Sequence, residues 1–204
     1  MTPRAALQRG LNELALAVPA DAVDQLLAYE ELLIKWNRTY NLTAIRDPLD
    51  MVSRHLLDSL AVLPHLPMAT GEDLADVGSG AGLPGIPLAI ARREWRFTLN
   101  DSNQKKAAFL RQATIELGLE NAQVHEGRVE AWRPAKRFQV VISRAFAELK
   151  ELAAKCRHLV APGGYLAAMT GAVPRDVDAN CRVIALKVPL LDAQRHLVLY
   201  PMSG

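Results

Sequence analysis

The residues best able to do chemistry stand together in Asp76-Val77-Gly78-Ser79-Gly80-Ala81-Gly82-Leu83-Pro84-Gly85. Glycines at every second position let the backbone take positive φ and keep side chains out of a ligand's way. A short apolar segment, Leu74-Ala75, precedes the run, and a helical pattern, Ile86 to Arg93, follows it. The order is therefore strand, glycine turn, helix. Such a turn ends at a helix N-terminus, whose unpaired N–H groups favour negative charge. Gly80, Gly82 and Gly85 also fit the dinucleotide spacing G-x-G-x-x-G. Asp76 argues against that ligand, because a carboxylate at the strand end repels a pyrophosphate. It suits a ligand with an ammonium group, such as the methionyl end of S-adenosylmethionine. The alternative is a β–α turn with no ligand.

Other candidates follow from where strands should end. Short β-like runs alternate with helical ones from Asp73 onward, which predicts a parallel sheet with ligands outside its carboxyl ends. After the second strand, Arg96 to Leu99, stands Asp101, about twenty residues past the glycines and placed to accept from a ribose. Its plainer role is a helix cap shared with Ser102, which is expected to open a helix from Asn103 to Leu117 ended by Gly118. After the third strand, Ala122 to His125, Val129 could pack on an adenine face and Glu130 meet its edge; a solvated loop is the plainer reading. After the fourth, Phe138 to Ser143, Arg144 could clamp a carboxylate or phosphate, or else pair with Asp76 or Glu130. Phe146 could stack on a base or belong to the core. A helix from Glu148 to Val160, a fifth strand from Tyr165 to Met169, and an antiparallel edge pair, Arg182 to Val188 with His196 to Tyr200, complete the pattern.

Residues 1–70 are read as a helical cap on the core formed by 71–204, within one structural domain. Val23, Leu26, Tyr29, Leu33, Trp36 and Tyr40 make one apolar helical face, with Asp21 as N-cap and an end near Asn37. Asp47 and Pro48 open a second helix, which Pro64 and Pro67 close.

Composition narrows the classes. With 204 residues, half of them apolar, a sizeable core is within reach. No apolar run reaches the ~18 residues of a membrane span, and the N-terminus shows no signal-peptide core. Cys156 and Cys181 stand alone, which fits a reducing cytoplasm and gives no metal site. A net charge of +2 is low for a protein that binds nucleic acid through bulk charge. Local patches remain: Arg92/Arg93/Arg96, Lys105/Lys106/Arg111, Arg128/Arg133/Lys136/Arg137 and Lys155/Arg157, several of which could surround one sheet edge and form a composite RNA footprint. Neither a G-x-S-x-G elbow nor a P-loop lysine is present, which leaves serine hydrolysis and nucleoside-triphosphate chemistry without support.

Taken in order, Trp36-Asn37, Asn41 to Ile45, Arg54 to Leu60, Asp76 to Pro87, Asp101-Ser102, Lys105-Lys106, Phe109-Leu110, Arg128 to Glu130, Ser143 to Ala145 and Arg195 to Leu197 resemble the bacterial 16S rRNA methyltransferase G family, also called glucose-inhibited division protein B. The resemblance runs from about residue 25 to 200. It implies a Rossmann-like class I fold and S-adenosylmethionine-dependent methylation of guanine N7 at nucleotide 527 of small-subunit rRNA. It also implies donor contacts by Gly78, Leu83, Val129, Glu130 and Arg144. Family members often carry Lys-Gly after the fifth strand; here Met169-Thr170-Gly171 stands instead. Competing readings are a class I methyltransferase for another RNA, a protein or a small molecule, a nicotinamide oxidoreductase, and a non-catalytic RNA-binding assembly factor.

Overall fold

A computed structural model describes residues 1–144, 149–173 and 178–202. Its centre is a seven-stranded sheet of β1 (Asp73–Val77), β2 (Arg96–Asp101), β3 (Ala122–Glu126), β4 (Phe138–Ser143), β5 (Val160–Thr170), β6 (Arg182–Ala185) and β7 (His196–Pro201). The order is β3-β2-β1-β4-β5-β7-β6. The first five strands run parallel, and β7 lies antiparallel between β5 and β6. Connections leave β1 toward β2 on one side and β4 toward β5 on the other. The carboxyl ends of β1 and β4 thus flank the switch point where such sheets open a ligand crevice.

Alternate residues of the central strands serve two cores, which is why Leu74-Ala75 in β1 and Val140 to Ile142 in β4 are apolar at consecutive positions. Leu74, Val140 and Ile142 join one apolar cluster. Ala75, Val77 and Val141 join the other, with Leu152 of α7 (Leu149–Cys156). The first cluster also takes in the N-terminal helices α1 (Pro3–Glu13) and α2 (Ala22–Tyr40) through Leu7, Leu26 and Leu33. Each fully buried leucine of this kind contributes about 1.5–3 kcal/mol. Gly10 lets α1 settle against Leu57, whose methyl groups occupy the space a Cβ would need.

Several boundaries differ from the sequence reading. Helix α2 runs on to Tyr40 and stops where Asn41 takes a left-handed φ of 48°. Asp21 stands at its N-cap but makes no side-chain cap bond; its carboxylate accepts two bonds from Arg93 instead. Asp47 does cap α3 (Pro48–Met51), accepting from the N–H groups of Leu49 and Asp50. The helix then widens into a π-helical stretch, Val52–Leu57, before α4 (Asp58–Leu60). After α5 (Gly85–Ala91), the cap of α6 (Gln104–Glu116) is Asn103 and not Ser102. The helix expected to reach Val160 ends at Cys156, because β5 begins at Val160 and absorbs Pro162, Gly163 and Gly164. Among the described residues, no helix is long and apolar enough to cross a membrane, and no group of His, Cys, Asp and Glu is arranged to hold a metal.

Candidate donor and substrate site

The glycine turn leaves β1 with φ of 68° at Gly78, 60° at Gly80 and 90° at Gly82, all in the left-handed region. The glycines have different tasks. At Gly80 an added Cβ would meet nothing nearer than 3.8 Å, so this backbone faces open space. At Gly82 it would strike Ile86 and press on Leu110, and at Gly85 it would strike Leu99 and Asp76. The later pair is small so that α5 can pack close to the sheet. The expectation that all the glycines clear room for a ligand is corrected to that extent. Leu83 is buried in the first apolar cluster beside them.

Asp76 is fully buried. Its Oδ2 accepts from Ser79 Oγ at 2.5 Å and from Gly85 N–H at 2.9 Å, which closes the turn onto the helix behind it. Its Oδ1 is buried without a partner. Burial, opposed by those two bonds, pushes its pKa up to about 6. Asp101 links the next strand to the same turn: Oδ2 accepts from Gly80 N–H at 2.9 Å and Oδ1 from Asn103 N–H at 2.8 Å. A carboxylate oxygen can accept more than one bond, so Asp101 keeps acceptor capacity at the edge of the cradle.

Beyond β3, Val129 is buried against Trp132 and Val141, while Glu130 is exposed and lies 3.7 Å from Lys155. Beyond β4, Arg144 pairs with neither partner the sequence offered. Its Nη1 donates to Asp58 Oδ2 at 3.3 Å and to the Arg54 carbonyl at 3.2 Å. Phe146 lies outside the described residues.

Arg144 opens onto a cavity of about 390 Å³ lined also by Ile45, Arg54, His55, Asp58, Met169, Thr170, Gly171 and Arg195. Burial, and the nearby charge of Arg144, push the His55 pKa down to about 4, so the ring is neutral near pH 7 and shares a 2.8 Å hydrogen bond with Thr43 Oγ1. Asp58 and Arg195 carry no role from residue type or spacing alone, although both fall in the family-like segments Arg54 to Leu60 and Arg195 to Leu197. The available signal was the polar set Arg54, His55, Asp58 and Ser59 inside an apolar helical pattern.

The basic clusters separate. Lys105, Lys106 and Arg128 follow the carboxyl ends of β2 and β3, on the cradle's side of the sheet. Arg96 and Lys136 stand at the opposite end, where both pair with Asp73, and Arg93 is tied to Asp21. The composite footprint expected from sequence loses these three cations.

A parallel sheet with this order and an antiparallel β7, an acid-led glycine turn at the end of β1 and an acid at the end of β2, define a Rossmann-like class I methyltransferase. Solved structures agree on the fold: a SAM-dependent methyltransferase from Aquifex aeolicus matches with TM-score 0.56 at 19% identity, covering 76% of this chain and 93% of that one. A precorrin-6y C5,15-methyltransferase from Geobacter metallireducens matches with TM-score 0.53 at 11% identity, covering 72% and 87%. The family model for rRNA small subunit methyltransferase G matches residues 22–193. Proteins named ribosomal RNA small subunit methyltransferase G are 50% identical in Methylobacillus flagellatus, covering 96% of both chains, and 51% identical in Laribacter hongkongensis, covering 94% of this chain and 95% of that one. This chain belongs to the rRNA small subunit methyltransferase G family.

Proposed function

We propose that this protein transfers the methyl group of S-adenosylmethionine to N7 of the guanine at nucleotide 527 of 16S rRNA, acting in the cytoplasm on the small ribosomal subunit. The observation that carries the reading is the pairing of family membership with an acid-led cradle after β1. The residues fit the donor. The unpartnered Oδ1 of Asp76 offers a buried negative atom for an ammonium group, Gly78 and Gly80 offer backbone without side chains, and Asp101 offers acceptor capacity for ribose hydroxyls. Val129 and Glu130 flank the adenine, Leu83 and Gly82 shape the turn, and Arg144 answers the donor's carboxylate. Lys105, Lys106 and Arg128 approach RNA, as does Phe146. Residues 1–70 act as a cap on the core.

When bound, the donor supplies an already activated methyl on a sulfonium. Guanine N7 has a free lone pair and no proton to lose, so the chain has no proton to remove. Its work is to hold the nitrogen in line with the methyl at ~3–3.5 Å and to exclude water, an effect worth up to ~7–11 kcal/mol in favourable cases. The base must leave its stack to be reached. Calorimetric titration with the donor and its demethylated product tests the cradle. Labelled methyl transfer to small subunits, against free metabolites, tests the substrate class.

A further inference from the structure

The N-terminal helical segment supplies a buried acid to the cavity beyond β4 and β5. Asp58 has a side chain only 3% exposed, and it stands between two arginines from distant parts of the chain. Arg144 reaches its Oδ2 at 3.3 Å from the end of β4, and Arg195 reaches its Oδ1 at 3.0 Å from just before β7. A lone buried carboxylate is costly, and two charge-assisted bonds offset that cost. Each guanidinium also holds a backbone carbonyl, that of Arg54 for Arg144 and of Gln194 for Arg195. These bonds occupy Nη1 of Arg144 and Nε and Nη1 of Arg195. Among the described residues, the remaining N–H groups of both forks have no protein partner.

The cavity charge is what makes this arrangement more than a fold contact. Three arginines (54, 144 and 195) and one aspartate line it, so three positive charges less one negative leave an excess of two. His55 adds none near neutral pH. Ile45 and Met169 supply apolar wall. Its volume of about 390 Å³ falls within the range of small-ligand pockets, about 300–1,000 Å³. The π-helical stretch Val52–Leu57 places Arg54 and His55 on this wall and delivers Asp58 behind them. Such local widenings of a helix occur often at functional sites.

We propose that Asp58 is a positioning residue that locks Arg195 into a preformed receptor for a phosphodiester of the RNA strand that carries the target base, while its other oxygen holds Arg144 on the donor's side of the same cavity. A planar guanidinium fork matches phosphate oxygens, and holding it in place before binding removes the entropic cost of ordering a long side chain. The cavity's site at the ends of β4 and β5, next to the donor cradle, sets the strand where its splayed base can face the methyl. This inference rests on the reading under Proposed function.

The test is steady-state methylation of small subunits lacking the modification, by the wild type, Asp58→Asn and Arg195→Ala, with melting curves to confirm folding. Asp58→Asn keeps both arginine charges but releases their lock. The KM for subunits rises at least fivefold, its dependence on log salt keeps the wild-type slope, and donor affinity falls by a smaller factor than the KM rises. Arg195→Ala, which removes one of the two bonds to buried Asp58 and is therefore compared at a temperature well below its melting point, raises the same KM and flattens the salt slope by about one contact's worth, ~0.7–0.9. Unchanged KM in both variants overturns the proposal, as does a loss of donor affinity equal to the loss in KM. If the wild type methylates subunits while both variants match it, this inference alone fails. If the wild type methylates no subunit, the proposed function fails and takes this inference with it.

Discussion

The buried hydroxyl of Tyr29 donates to the carbonyl of Ala81 at 2.6 Å. One bond thus ties the middle of α2 to the middle of the glycine turn. Ala81 sits between the glycines whose backbone forms the cradle, and no other side chain in the helical N-terminal segment bonds to that turn among the described residues. The hydroxyl is held protonated by burial, so it acts as a donor at any working pH. The helical segment thereby helps fix the shape of the cradle.

Removing that hydroxyl leaves a buried carbonyl unsatisfied, which costs about 1–3 kcal/mol. Tyr29→Phe is expected to melt lower and to bind the donor several-fold more weakly, with an unchanged KM for small subunits. Thermal melting and calorimetry check both effects. Equal donor affinity in the variant would remove Tyr29 from the account of the turn.

The glycines separate by neighbour. Gly80→Ala introduces a left-handed alanine, worth roughly 1–2 kcal/mol, into open space. The expected variant is folded, with donor affinity lowered at least tenfold by crowding of the cradle. Gly82→Ala drives a methyl into Ile86 at a φ of 90° and is expected to lose several kcal/mol of stability before ligand binding is considered. Denaturant unfolding distinguishes the two.

Glu30 is buried on α2 with Oε2 unpartnered, and burial, with help from the charges of Glu31 and Asp47, pushes its pKa up to about 7. A carboxyl whose folded pKa is raised above its unfolded value of 4.5 contributes stability below that value and loses it as pH rises through the folded pKa. Glu30→Gln is therefore expected to match the wild type near pH 4 and to exceed it by about 2 kcal/mol at pH 8. Unfolding curves at the two pH values decide it.

Ionised Asp76 is the form that attracts an ammonium group, and its pKa is raised to about 6. Donor affinity is expected to be flat above about pH 7 and to fall toward tenfold per unit as pH drops below 6, with the fall abolished in a weakened Asp76→Asn variant. Because guanine N7 needs no base, single-turnover methyl transfer at saturating donor is expected to stay level from about pH 6.5 to 8.5. Arg144→Ala is expected to weaken donor binding, since it removes the cation offered to the donor's carboxylate. Calorimetry across pH checks the affinities, and quench-flow kinetics check the rate.

The strand–glycine turn–helix unit was legible because its signal is local: an acid, alternating glycines and a helical pattern in one run. The sheet was legible because strands buried on both faces read as apolar runs. The partners of Arg144 were not. Asp58 stands 86 residues away, and only the packing of the N-terminal helices against the sheet brings it there. Nor could spacing distinguish Gly80, which faces space, from Gly82, which faces Ile86. The π-helical widening at Val52–Leu57 shifts residues by less than a turn and leaves the apolar pattern intact.

The most direct measurement is chemical cleavage mapping of 7-methylguanine in 16S rRNA after purified protein and S-adenosylmethionine act on unmodified small subunits. The account predicts one new cleavage, at guanine 527, dependent on both protein and donor. No cleavage there, or methyl incorporated at another atom or nucleotide, would contradict it.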